Sequence, residues 1–245
     1  MNWKTLFKNN QLRTLTKMEK LYIHLMLSAN KKFTDNYMKK IGFRKSYVNL
    51  DFLEKKLNSI IIENNSYYQK EFNKIFSLMD KSNRMFYDRL IDSPVLKEQN
   101  QLFTAIKIKE VIDNNVNLIK SYQELSRKEL KETFIKINMN NMTYTDSVKE
   151  ITERFSVLKS KAKMWARDQS AKNFGEFNKI KQENLGIEKF EWSSSGDSRV
   201  RPEHAEYNGK VYDWQSGTES GLFPGSDYQC RCIAIPVRNG VMNVI

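Results

Sequence analysis

Residues that interrupt regular structure are concentrated at one end of this chain. Three of the four prolines, Pro202, Pro224 and Pro236, fall between Glu191 and Val237, together with both cysteines and the second of the two histidines, His204. Upstream the sequence is rich in Lys and Asn, periodic, and nearly free of Pro and Gly. A proline inside a helix removes a hydrogen bond and clashes with the preceding turn, and a glycine there costs about 1 kcal/mol relative to alanine. The upstream chain can therefore run in long helices, whereas the last quarter must be assembled from short elements joined by turns.

The upstream periodicity agrees. Leu12, Leu15, Met18, Leu21, Tyr22, Leu25 and Met26 recur at the i, i+3, i+4, i+7 spacing of an amphipathic helix and predict one over Gln11–Ala29. The pattern continues through Lys31–Phe43, with Gly42 as the stop. Val48–Ile62 reads as a further helix capped by Asn49 or Asp51. Tyr67–Ile91 reads as another, broken at Ser93-Pro94. Val95–Ile119 is helical over Leu102–Val116, followed by Gln123–Met139. Thr143 is the expected N-cap of Asp146–Phe155, and a long helix over Ser156–Gln182 ends at Leu185-Gly186. No period of 20–50 residues recurs, so the chain is not a repeat array. Aromatic and Met stripes at helical spacing are read as core.

In the last quarter, Ile187–Trp192 alternates apolar and polar, as a half-buried strand does. Ser193–Asp197 is a turn by composition. Pro202 suits the first position of a short helix, with Glu203 favourable at its positive end. Asn208-Gly209 ends that helix or forms a tight turn. Lys210–Trp214 and Cys230–Val237 read as two more strands, with Pro224-Gly225 as a turn between them. The expected class is α+β: a mostly helical N-terminal part with a small C-terminal module of short strands and one short helix.

The formal charge of +12 is uneven. Nine of these charges belong to residues 1–50, where eleven basic residues meet two acidic ones. Lys4, Lys8, Arg13, Lys17, Lys20, Lys31, Lys32, Lys39, Lys40, Arg44 and Lys45 are thus candidates for sequence-independent contact with double-stranded DNA, or else a solvated helical face. No apolar run reaches the length of a membrane span, so no membrane partner is expected. Two cysteines one residue apart do not form a disulfide framework, which fits a reducing compartment.

Two chemistries compete in the last quarter. His204, Cys230 and Cys232, with Asp197 or Asp227 as a fourth ligand, are residue types that suit zinc. On a strand, residues 230 and 232 would point to one face and could simply be buried thiols, which is the expectation adopted, with no cofactor. Glu203 and His204 could serve as an acid/base pair, with Arg199, Arg201 and Arg231 clamping an anion. No nucleophile motif or phosphate loop accompanies them. Asp197, Arg199, Arg201, Glu203, His204 and Arg231 are therefore read as an ion-pair network that fixes a small module, and no enzymatic activity is expected.

The run Trp192…Asp197-x-Arg199-x-Arg201-Pro202-x-His204…Asn208-Gly209-Lys210-Val211-Tyr212…Pro224-Gly225…Cys230-Arg231-Cys232 resembles the C-terminal signature of the Mu F-like phage minor head proteins, the phage head morphogenesis family. Asn117–Ser121 and Ala166–Gln169 resemble its helical part more loosely. Some relatives place a C-x-x-C pair where this chain has Arg199-Val200-Arg201-Pro202, a departure that removes two potential thiolates from any metal site. The resemblance implies a family domain over residues 101–245, helical to 185 and α+β from 186, behind a basic helical region over residues 1–100. It also implies a minor head protein assembled in the host cytoplasm into the phage head interior. Its partners would be the portal protein and other head or scaffold proteins, and it would assist procapsid assembly and DNA packaging or ejection. A metal-dependent enzyme or toxin-like effector built on the same module, or a non-specific DNA-binding protein, are the competing classes.

Overall fold

The computed structural model describes residues 2–41, 55, 65–87, 94–140 and 142–237. The expected helix over Val48–Ile62, its caps Asn49 and Asp51, the stop at Gly42, and the basic candidates Arg44 and Lys45 lie outside the described residues, as do the side chains of Lys32, Lys39 and Lys40. Among the described residues, four long helices precede the module: α1 (Trp3–Ile41), α2 (Asn65–Tyr87), α3 (Pro94–Met139) and α4 (Tyr144–Asn184). Segments expected as separate helices are fused. α3 joins Val95–Ile119 to Gln123–Met139, and α4 joins Asp146–Phe155 to Ser156–Gln182, while α1 continues past Ala29 to Ile41 as expected. The junctions contain neither Pro nor Gly, so nothing interrupts the hydrogen-bond ladder. Pro94 opens α3, where its missing N–H costs nothing. Thr143 Oγ1 accepts the Asp146 N–H at 3.2 Å, the expected cap. Gly186, with φ +68°, ends α4 as expected. Among the described residues no helix is long and apolar enough to cross a membrane.

The chain divides into two compact units that interleave in sequence. One comprises Ile23–Glu71 and Asp113–Trp165. Here Tyr122, Leu130, Phe134, Ile151 and Leu158 are buried. The Tyr122 hydroxyl donates to the Leu158 carbonyl at 2.6 Å, and burial pushes its pKa up to about 12. Glu129 accepts from Arg154 at 2.9 Å and pairs with Lys161.

The other unit comprises Met1–Tyr22, Phe72–Ile112 and Ala166–Ile245. Its helical segments bury Phe7, Leu15, Met18, Tyr22, Phe72, Phe76, Met79, Phe174 and Phe177. Polar groups are threaded through this core. Gln11 donates to Asn83 at 2.7 Å, and Lys181, 1% exposed, meets Asp80 at 2.8 Å. Gln182 donates to the Tyr87 hydroxyl and the Ala234 carbonyl and accepts from the Trp214 indole, each at 3.0 Å.

The C-terminal module of this unit contains β1 (Lys189–Ser193), α5 (Pro202–Tyr207), β2 (Val211–Asp213) and β3 (Ile233–Val237). The sheet is antiparallel in the order β2-β1-β3, pairing Phe190 with both Tyr212 and Pro236, and Trp192 with Ala234. Pro236 lies on an edge strand, the position that tolerates a missing donor. Strand alternation sorts the two faces. Phe190, Trp192, Tyr212 and Ala234 build the module's own core with Tyr207, Trp214, Cys230 and Cys232. Ile233 and Ile235 face the other way and pack on Phe7 and Tyr87. Pro202 opens the short helix as expected, and Gly209, at φ +81°, turns the chain into β2.

The expected third strand is shortened. β3 begins at Ile233, so Cys230 and Cys232 lie in the loop before it. Gln229 adopts a left-handed φ of +52°, and the Cys230 sulfur accepts N–H groups from Gly225 and Cys232, both at 3.4 Å. These local bonds bend the loop out of the sheet ladder.

Candidate metal site in the C-terminal module

The loop carrying the cysteines is seated on α4. A Cβ placed on Gly175 would lie 2.3 Å from the Pro224 carbonyl oxygen, and one on Gly225 would lie 2.8 Å from the Ala171 carbonyl oxygen. Backbone therefore meets backbone at this point, and Gly225 (φ +90°) also needs the left-handed conformation. Four residues on, the Gln229 N–H donates to Asp168 at 2.8 Å. Asp168 belongs to the Ala166–Gln169 stretch singled out in the sequence. Gly175 escaped notice, although a glycine inside a long helix without a capping role is itself a signal of close approach.

This seating brings both sulfurs to His204 on α5. The His204 Nδ1 lies 3.5 Å from Cys230 Sγ and 3.6 Å from Cys232 Sγ, and all three residues are buried. The opposite ring nitrogen, Nε2, sits 3.3 Å from Asp227 Oδ2. It is too poorly aligned to count as a hydrogen bond and has no other partner. Asp227 also receives Arg201 at 2.8 Å, while the second Arg201 nitrogen donates to the Tyr228 carbonyl at 2.7 Å. Trp192 stands edge-on to the imidazole, with ring centroids 5.3 Å apart. The thiols differ in acidity. The Cys232 thiol bonds toward Cys230 and, with N–H groups of the loop, holds the Cys230 pKa down to about 6 against burial. The same interaction, together with burial, pushes Cys232 up.

Of the ion-pair network expected around Asp197 and Glu203, Asp197 meets two arginines, whereas Arg201 and Glu203 take other partners. Asp197 takes Arg231 and, at 3.4 Å, Arg199. Arg201 is held by Asp227 instead of Asp197 or Glu203. Glu203 accepts the Tyr207 hydroxyl at 2.5 Å and Ser220 at 3.3 Å. Glu203 and His204 thus have separate partners and do not converge as an acid/base pair. Asp227, considered in the sequence only as a ligand, joins the network because the loop returns it to the start of α5. A cavity of about 180 Å³ opens beside the cluster. Four arginines line it, and each has an acidic partner: Arg167 pairs with Glu19 at 3.0 Å, and the others pair as above.

Of the basic candidates in residues 1–50, Lys4 is engaged by Glu191 at 2.5 Å. Arg13, Lys17, Lys20 and Lys31 are exposed, and Lys8 is half-buried.

Fold and site together define a class: a small α+β module, organised around a buried His–Cys–Cys cluster and seated on a long helix. Residues 128–235 match the family described as Phage Mu protein F like protein, so the resemblance carried by the Asp197–Cys232 signature holds. A relative from Haemophilus influenzae (strain ATCC 51907 / DSM 11121 / KW20 / Rd), named only as an uncharacterized protein, is 30% identical over 148 residues. That match takes in 60% of this chain and 31% of the relative, so the chain spans about a third of the length of this curated relative. No solved structure is significantly similar.

Proposed function

We propose that this chain works in phage head morphogenesis as a minor head protein. It enters the procapsid at the portal vertex and assists assembly and DNA packaging or ejection. The observation that carries this reading is the family match over residues 128–235, which takes in both the seating helix and the module. A structural rather than enzymatic role fits the separate engagement of Glu203 and His204. Location in the virion follows from the same reading, with other head proteins as partners. A minor component must be recruited to one vertex, and the portal ring is the structure unique to it. Co-expression with the portal protein, size-exclusion chromatography, and mass spectrometry of assembled heads test this. Co-elution and presence in heads are expected; absence from both overturns the reading and favours the effector class.

DNA contact belongs to the same proposal. Arg13, Lys17 and Lys20 follow one another at i, i+4 and i+7 on the exposed side of α1, a spacing that aligns them along one stripe. Removing the whole basic segment would not test them, because Phe7, Leu15, Met18 and Tyr22 of the same helix are core. Charge reversal of all three residues to Glu is the clean experiment. DNA affinity of the intact chain should fall steeply with salt, and the variant should bind at least tenfold more weakly with a shallower salt slope. Equal affinity at low salt removes DNA from the proposal.

A further inference from the structure

We infer that His204, Cys230 and Cys232 form a site for one thiophilic divalent cation, zinc by its chemistry, with Asp227 positioning the histidine. This reverses the expectation of packed thiols, and the reason is geometric. For a tetrahedral ion with Zn–S of about 2.3 Å and Zn–N of about 2.05 Å, nitrogen and sulfur ligands stand about 3.6 Å apart. The two Nδ1···Sγ distances are 3.5 and 3.6 Å, and the three ligand atoms lie within 4.8 Å of one another. One S–H···N hydrogen bond would suit either distance, but a single Nδ1 lone pair accepts only one such hydrogen, so hydrogen bonding alone does not account for two sulfurs at that spacing.

The surroundings match what such a site requires. A ligating imidazole needs its free lone pair toward the metal and its N–H on the opposite nitrogen, fixed by a carboxylate. Nδ1 faces the sulfurs, and Nε2 lies 3.3 Å from Asp227, which Arg201 holds in turn, so a small rotation of the ring onto a metal would complete that hydrogen bond. Metal-bound thiolates are stabilised by backbone N–H donors. Cys230 receives the N–H groups of Gly225 and Cys232. Binding would leave two thiolates and a neutral imidazole around a dication, a complex of zero net charge. That matters in a buried place whose nearby arginines are already neutralised by their acidic partners. Among the described residues the cluster supplies three ligands, and all three also line the cavity, which leaves the fourth coordination position to water.

Such an ion would tie α5 to the loop before β3, and through Gln229 and Asp168 to α4. The site is independent of the head-assembly reading and fails or survives separately from it. The intact chain should be purified without chelator from zinc-replete cells and its metal counted by elemental analysis, with about one zinc per chain expected. Cobalt added to the chelator-stripped protein should give the visible bands of a tetrahedral ion and a sulfur-to-cobalt charge-transfer band. That band should fall to about half in Cys232→Ser. Asp227→Asn should retain the bands and weaken zinc binding by 10- to 100-fold. Substoichiometric zinc, together with no cobalt spectrum in protein whose two thiols titrate as reduced, overturns the inference. That result needs no variant, so a variant that fails to fold cannot obscure it.

Discussion

In the unit built from Ile23–Glu71 and Asp113–Trp165, charge stays at the rim. Glu129 gathers Arg154 and Lys161 at partly exposed positions, and the buried polar side chains named for this unit, such as Asn115, Gln123 and Ser126, are uncharged. In the other unit charge also goes inside: Lys181 meets Asp80 in the core, beside Gln182, which bonds three partners. Both units are made of long amphipathic helices, yet they answer differently to substitution. A rim pair is screened by water and contributes little, whereas a buried pair leaves an uncompensated charge when one partner is removed. Buried polar links also fix geometry, and this second unit carries the Cys–His cluster, whose two sulfurs stand 3.5 and 3.6 Å from one imidazole nitrogen.

The largest expected effect follows directly. Asp80→Ala should destabilise by about 3–5 kcal/mol in urea unfolding, because Lys181 is left buried without its partner. Asp80→Leu with Lys181→Met should recover most of that loss. Glu129→Ala in the first unit should cost about 1 kcal/mol or less. Equal losses at Asp80 and Glu129 would erase the contrast.

A middle-sized effect should reverse the usual sign. Alanine in place of a helical glycine ordinarily stabilises, by about 1 kcal/mol. Gly175→Ala should instead destabilise by about 1–3 kcal/mol, since its Cβ would strike the Pro224 carbonyl oxygen. It should also weaken metal retention without touching a ligand. Thermal unfolding with and without chelator checks both, and a raised Tm would show that the loop is not seated on the helix.

The smallest effect concerns Tyr122, whose pKa is pushed up to about 12 by burial. An unfolded tyrosine titrates near 10, so this group's contribution is intact below about pH 10 and is lost as pH rises from about 10 to about 12. Tyr122→Phe should cost about 1 kcal/mol at neutral pH and flatten the alkaline loss by up to about 1.4 kcal/mol per pH unit. An unchanged slope would place the titrating group elsewhere. Burial also raises Tyr22 and Tyr87 in the other unit, so the variant removes only part of the alkaline decline.

Much of this was legible beforehand because it rests on local rules. Thr143 caps, Pro202 opens a short helix, Gly186 closes a long one, and the Trp192–Cys232 signature carries the resemblance to the Mu F-like proteins. Expected helix ends fall too early at Val116–Gln123 and Phe155–Ser156, where no Pro or Gly interrupts the hydrogen-bond ladder. The cluster itself was named residue by residue, but its geometry was hidden. A strand was expected to carry both cysteines. Only the left-handed Gln229 and the Gly175–Gly225 seat, set by residues more than fifty positions upstream, bend them toward His204.

That seat also sets an order of events during synthesis. Asp168, Ala171 and Gly175 leave the ribosome well before Pro224, Gly225 and Gln229, and a stretch of helix forms in about a microsecond or less. The receiving surface can thus stand ready while the strands and α5 are still being added. The loop docks only when the whole module has emerged, and closing a span of that length costs entropy that its own few bonds must offset. The two cysteines reach the histidine in this final step, so the cluster is a marker of completed folding: its ligand atoms come together only in a chain whose module is already in place.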